Sequence, residues 1–300
     1  MTGLFWLLLV ALLLVWIGAA LAVARKLRRP PRKTYATVLG RGLPASPEEI
    51  GRVADDLTLR LATGHDTPGW LIAGDAPAGP AVIVLHGFAD ARYGALTWAP
   101  LLLPHASQLL LFDLPGHGEC RAPTSALGAR EADDVINLLD QIDTTRGVVL
   151  FGYSMGAGIA IDALARRDPR LRAAIADGPY RFWHQPIARI LHARRWPARP
   201  ILPLVGAALR LLSPGWRAYD RLEQARQLDR PLLVLHGCRD ELCAYDDAKA
   251  IADAAAQGQL VTFETGGHLD LAHCDESRYR TALRTFFEQL EDAGDEGVAR

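Results

Sequence analysis

From Leu4 to Ala24 only Gly18 falls outside the apolar set, and no charge precedes Arg25. A helix of this length is about 30 Å long and apolar on every face, which matches a bilayer's hydrocarbon core. The pattern predicts one transmembrane helix over 4–24. From about residue 50 the pattern changes to short β-rich runs alternating with longer runs of helical spacing. Strands are expected at Leu57–Ala62, Trp70–Ala73, Ala81–Leu85, Gln108–Phe112, Gly147–Phe151, Leu171–Ala176, Pro231–Leu235 and Leu260–Glu264. Helices are expected at Ala91–Leu103, Ala129–Ile142, Gly156–Arg167, Asp246–Ala255 and Ser277–Leu290. Such alternation predicts an α/β fold with a mainly parallel sheet and helices on both faces. Ligands in such folds bind at the carboxyl ends of the strands.

Charge divides the chain. Residues 1–47 hold seven bases and no acid, which leaves a net −8 on 48–300, since the whole chain carries −1. A net-acidic main domain is a poor nucleic-acid binder. The bases Arg25, Lys26, Arg28, Arg29, Arg32 and Lys33 follow the apolar run, and none precedes it. The positive-inside rule therefore predicts a cytoplasmic main domain. A cleaved signal peptide is the rival reading, with Ala20-Leu21-Ala22 as the small-residue site. The missing basic n-region and the long apolar run favour an anchor. Residues 25–47 read as a basic juxtamembrane linker, 48–292 as the main domain and 293–300 as a C-terminal tail. Hydrophobic residues make up 50% of the chain, too many for a disordered protein. Four cysteines in 300 residues do not make a disulfide scaffold. Cys238, Cys243 and Cys274 fit no common zinc spacing, and no cofactor or metal is expected.

The strongest motif is Gly152-Tyr153-Ser154-Met155-Gly156, which follows an apolar strand and opens a helix. A serine in a tight strand–turn–helix is held clear of the sheet, and glycines two before and two after let strand and helix approach. A serine nucleophile needs a base, and the base needs an orienter. His268, after Gly266-Gly267, and Asp240, in LHGCRDEL, supply them in the order Ser154, Asp240, His268. His273 is a rival base. Glu241, Asp270 and Asp177 are rival acids. His86, His236 and His117 stand in glycine-rich turns after strands and read as structural. The oxyanion needs two amide donors. The Met155 N–H follows the nucleophile, and the Phe88 N–H lies in the loop after AVIVL.

LHGF (85–88), DLPGHG (113–118), GYSMG (152–156), LHGCRD (235–240) and GGH (266–268) resemble an α/β-hydrolase-fold serine hydrolase. The likeness is to bacterial esterase, monoacylglycerol-lipase-like and proline-iminopeptidase-like members, over about 75–290. It implies an eight-stranded, mainly parallel sheet and a Ser154–Asp240–His268 triad. One departure is the stretch after Asp240, which reads Glu-Leu-Cys-Ala-Tyr where members often carry a valine-proline pair.

Residues 178–226 interrupt the alternation and read as a short helical cap. From Gly178 to Ala218 the cap holds seven arginines and no acid, with an apolar run at 201–212. A basic amphipathic segment suits a membrane surface, and equally a cap with a solvated outer face. The expected function is cleavage of an acyl ester, lipid included, through an acyl-enzyme. The alternatives are an aminopeptidase-like amide hydrolase and a non-catalytic binding scaffold at the membrane. The first would need a buried acid pair near the cap, and the second a missing triad member.

Overall fold

A computed structural model describes residues 2–195 and 198–298. Helix α1 spans Thr2–Arg28, and a short α2 spans Tyr35–Leu39. The strands are β1 (Ala54–Arg60), β2 (Asp66–Ala73), β3 (Ala81–Leu85), β4 (Gln108–Phe112), β5 (Val148–Tyr153), β6 (Leu171–Asp177), β7 (Leu232–Gly237) and β8 (Gly258–Phe263). They form one eight-stranded sheet in the order β1-β2-β4-β3-β5-β6-β7-β8. Only β2 runs against its neighbours, β1 and β4; the other pairings are parallel.

The central strands β3, β5 and β7 are buried along their whole length, as a sheet covered on both faces requires. Successive side chains go to opposite faces. Ile83 and Leu85 join a core under α5 (Glu131–Leu138) and α6 (Met155–Ala165), whereas Val82 and Val84 join the core under α12 (Glu276–Val298). Each such side chain contributes roughly 1.5–3 kcal/mol by leaving water.

The helix expected over Ala91–Leu103 is broken into α3 (Arg92–Ala95) and α4 (Ala99–Leu102), with a 3-10 turn at Leu103–His105. Pro100 offers no N–H and sits in the first turn of α4, where its ring is tolerated. The helix expected over Ala129–Ile142 stops at Leu138. Beyond it, Gln141 turns back and bonds both the N–H and the C=O of Arg60 on β1. The segment expected as a separate tail from 293 continues α12 to Val298, and residues 299–300 lie outside the described residues.

The cap holds α7 (Gln185–Ala193), α8 (Ala198–Leu212) and α9 (Arg221–Ala225). Trp196, expected among its apolar residues, lies outside the described residues. Helix α10 (Tyr245–Ala254) covers β7 and β8, and α11 (Leu271–Cys274) follows the last strand's loop. The cap has its own apolar cluster, shared with α1. Ala20 and Ala24, one turn apart, are buried with Val205, Ala208 and Leu209 of α8. Small side chains on both helices let the two backbones come close. Leu4 to Val15 of α1 remain largely exposed.

The segment after α1 is fastened down. Ser125 N–H donates to the Arg28 carbonyl at 2.8 Å, and Arg28 donates to Thr124 Oγ1 at 3.2 Å. The Arg32 guanidinium donates to the carbonyls of Gly118, Cys120 and Ala122 at 3.2, 2.6 and 2.8 Å. Lys33 Nζ pairs with Asp90 at 2.6 Å.

Beside α1's end, Asp134 of α5 is buried, and one of its carboxylate oxygens lacks a partner among the described residues. Burial first, then the Glu131 charge, pushes its pKa up to about 7. With the folded value above the unfolded one, the group's stabilising contribution is complete in acid. It is lost as pH rises through about 7. Asp134→Asn is therefore expected to raise Tm at pH 8 by several degrees, on the order of a few kcal/mol, and to change it little at pH 4. Equal shifts at both pH values in a calorimetric scan would refute this.

Candidate active site

Ser154 stands between β5 and α6 with φ 53° and ψ −115°, a backbone conformation that side chains rarely adopt. The sheet imposes it. The Ser154 N–H donates to the Asp177 carbonyl at 2.8 Å, and a Cβ at Gly156 would collide with the Leu85 carbonyl of β3. The tight crossing leaves Oγ at the carboxyl end of the sheet, in a strained geometry typical of functional turns.

His268 Nε2 lies 3.0 Å from Ser154 Oγ, and His268 Nδ1 lies 2.8 Å from Asp240 Oδ2. The two loops that carry His268 and Asp240 are latched by their backbones. Cys238 N–H donates to the Phe263 carbonyl and Arg239 N–H to the Gly266 carbonyl, both at 2.9 Å. A Cβ on Gly237 would block this approach. The loop that lacks the valine-proline pair closes on the acid. The amides of Leu242 and Cys243 donate to Asp240 Oδ1 at 2.8 and 2.7 Å. Burial pushes the Asp240 pKa up, but the His268 ring and the two amides outweigh it and hold the carboxyl below its ordinary value. The acid stays charged, which fixes the Nδ1–H tautomer and leaves Nε2 to accept a proton.

The rivals sit elsewhere. Asp177 is buried and receives the Tyr279 hydroxyl at 2.7 Å; burial raises its pKa to about 6. Asp270 accepts the Gly267 amide at 2.6 Å and so shapes the loop of His268. Glu241 makes no side-chain bond to His268 among the described residues. His273 faces a separate cleft beside Glu276 and Arg280. His86 bridges the Gly87 carbonyl and the Leu114 amide, and His236 reaches the Cys243 carbonyl behind Asp240. His117 is buried under the edge of Phe88, and burial lowers its pKa to about 3, so it stays neutral. The Cys243 thiol lies close to Asp240 and His268, but burial and the Asp240 charge raise its pKa far above the ordinary value. It remains a thiol, a poor ligand and a poor nucleophile.

Ser154, His268, Phe88 and Met155 line one cavity of about 260 Å³. Its other walls are mostly apolar: Leu127 from the body, Trp183, Ile187 and Ile190 from the cap, and Leu242 and Leu269 from the acid and histidine loops. Asp90 also reaches the cavity, bound to Lys33 and to the Tyr153 hydroxyl at 3.1 Å. Sequence reasoning missed two neighbours, the Lys33–Asp90–Tyr153 chain beside the Phe88 loop and Leu27 of α1 in the cavity wall. Neither carries a sequence pattern, since both are contacts between distant segments.

The profile described as "Alpha/beta hydrolase family" matches residues 82–278. The chain belongs to the alpha/beta hydrolase family. Among its relatives is the pimeloyl-[acyl-carrier protein] methyl ester esterase of Xanthomonas campestris pv. campestris. That protein is 30% identical, over 66% of this chain and 92% of its own. The uncharacterized protein YqkD of Bacillus subtilis is 27% identical over 77% of this chain and 78% of its own. Among solved structures, an esterase of Pyrococcus furiosus superposes with a TM-score of 0.70 at 18% identity. It covers 88% of this chain and 98% of that one. A bacterial membrane phospholipase A has a TM-score of 0.61 at 19% identity and covers 97% and 99%. At these identities the structural likenesses speak for the fold. This alpha/beta hydrolase thus has esterases among its relatives, and its N-terminal helix is long and apolar enough to cross a membrane.

Proposed function

We propose that this alpha/beta hydrolase is a serine ester hydrolase working through an acyl-enzyme. The observation that carries the reading is the unbroken hydrogen-bonded chain Ser154–His268–Asp240 at the edge of an apolar cavity. Ser154 Oγ attacks the ester carbonyl carbon while His268 Nε2 takes its proton. The Phe88 and Met155 amides hold the oxyanion, the second of them at the N-terminus of α6. Collapse of the tetrahedral adduct breaks the C–O bond, and His268 returns its proton to the departing alcohol. Water, deprotonated by His268, then cleaves the acyl-Ser154 ester and releases the acid. Asp240 orients the ring and balances the imidazolium throughout.

The cavity favours an acyl chain over a free amino terminus. Asp90 is the single carboxylate among its lining residues, and Lys33 and Tyr153 already occupy it. An ammonium group would find no unpaired acid there among the described residues. In this reading α1 is a membrane anchor, and the bases at its C-terminal end favour the cytoplasmic face for the hydrolase domain. The basic flank 25–33 then doubles as the structural joint between membrane and enzyme.

A fluorophosphonate probe tests the nucleophile directly. Wild-type protein is expected to be labelled, and Ser154→Ala not. Equal labelling of the variant would place the nucleophile elsewhere.

A further inference from the structure

We infer that the cavity takes its substrate from the lipid leaflet, and that the substrate is an acyl glycerolipid whose ester lies at headgroup depth. This rests on the reading of the site as an ester hydrolase and names its substrate class. The linking observation is Leu27, a residue of α1 that forms part of the wall beside Ser154 and His268. Leu27 lies three residues past Ala24, the end of the long apolar run. At a rise of about 1.5 Å per residue, the cavity wall begins some 5 Å along the helix from the end of that run. A helix seated in the bilayer by that run therefore brings the cavity to the boundary between hydrocarbon and headgroups.

A loose tether would spoil this argument, because the domain could then drift at any depth. The joint is not loose. Arg28, Arg32 and Lys33 bind polar partners on three stretches of the domain: the 118–122 carbonyls, Thr124 with the Ser125 amide, and Asp90. Ala20 and Ala24 are packed into the cap. The cavity's depth follows from the helix's depth.

The surface around the cavity suits that level. Phe88 and Ile190 are 40% and 45% exposed and also line the cavity, so the apolar lining continues outward. Arg25, Lys26 and Arg29, next to Leu27 in the chain, and Arg194 and Arg195, about one turn past Ile190, are exposed, with no acidic partner among the described residues. Bases whose heads reach phosphate while their stems cover apolar surface are typical of an interfacial rim. The run of α8 beside α1, from Ile201 to Leu209, carries no charge, so this flank of the cap can sit against acyl chains. The bilayer thus meets an apolar portal flanked by cations, and the acyl chain enters first. A soluble ester would need none of these features.

The full-length chain reconstituted in phosphatidylethanolamine–phosphatidylglycerol vesicles provides the test. A phospholipid with a fluorogenic acyl ester is supplied either in the same bilayer or in separate enzyme-free vesicles. p-Nitrophenyl butyrate in the water phase serves as the control. Lipid in the shared bilayer is expected to turn over at least roughly 100-fold faster, because confinement to one surface raises its effective concentration. p-Nitrophenyl butyrate is expected to be hydrolysed equally in both arrangements. Leu27→Trp, which narrows the wall, is expected to lower turnover of the long-chain lipid at least tenfold more than that of p-nitrophenyl acetate. Equal lipid turnover in the two arrangements would overturn the inference, and so would hydrolysis of p-nitrophenyl butyrate with no hydrolysis of lipid. Loss of both activities would instead sink the ester-hydrolase reading beneath it.

Discussion

Ser154→Ala and His268→Ala are each expected to lower kcat on a soluble ester by about a millionfold, and the double variant no further. The two side chains act as one unit, since without the base the hydroxyl is a poor nucleophile and without the hydroxyl the base has no proton to take. Asp240→Asn is expected to cost roughly 10³–10⁴-fold, because the amide would turn an N–H toward Nδ1 and stabilise the wrong tautomer. The amides of Leu242 and Cys243 point at the charged carboxylate, so its loss also leaves them poorly matched. Asp177→Asn separates the two acids. Asp177 bonds to Tyr279 and makes no hydrogen bond to His268, so its variant should be mild in kcat and felt mainly in stability. Glu241→Gln and Asp270→Asn should also be mild in kcat. Steady-state kinetics on p-nitrophenyl butyrate distinguishes these outcomes. A severe Asp177→Asn with a mild Asp240→Asn would transfer the orienting role to Asp177.

Legibility in the sequence followed burial. Ala81–Leu85 and Gln108–Phe112 are strands over the same residues that their apolar runs mark, because both faces of a central strand must be apolar. The edge strand β1 begins at Ala54, three residues before the expected Leu57. Asp55 and Asp56 are both exposed, on the two faces of this edge strand, and carry no apolar signal; pairing with Leu71 and Trp70 is what makes them strand. The candidate site residues stood out in the sequence for a related reason. A serine between glycines at the end of the buried strand β5, and a histidine after two glycines just past the last strand, have few structural reasons to be there. What stayed hidden was contact across long separations. Arg32 binds backbone carbonyls, which any sequence offers, so the 118–122 loop gives no hint of its partner. The face that α1 turns to the cap is equally invisible, since Ala20 and Ala24 sit in a run that is apolar all round. The apolar run predicts a helix for the membrane; it does not reveal that part of the helix is cap core and candidate-site wall.

Gly156→Ala is expected to leave little folded protein, with a loss of about 4 kcal/mol or more. The added methyl would collide with the carbonyl oxygen of Leu85, at the end of the central strand β3. That oxygen cannot retreat, since β3 is paired with β4 on one side and β5 on the other. Separating α6 from β3 instead would open the core around Leu85, Ala157 and Ala160. Densely packed interiors absorb such overpacking badly. Gly206→Ala is the matched comparison, a second helical glycine gaining the same methyl. There the nearest atom is a ring carbon of Trp183 at 3.2 Å, a side chain that can shift by a few tenths of an ångström. Alanine's higher helix propensity, about 1 kcal/mol over glycine, offsets the crowding, so this variant should stay within about 1 kcal/mol of wild type. Urea titration of both proteins reads the difference. If Gly156→Ala unfolds at the wild-type midpoint, strand and helix do not meet as closely as the elbow requires, and the strained Ser154 backbone loses its physical cause.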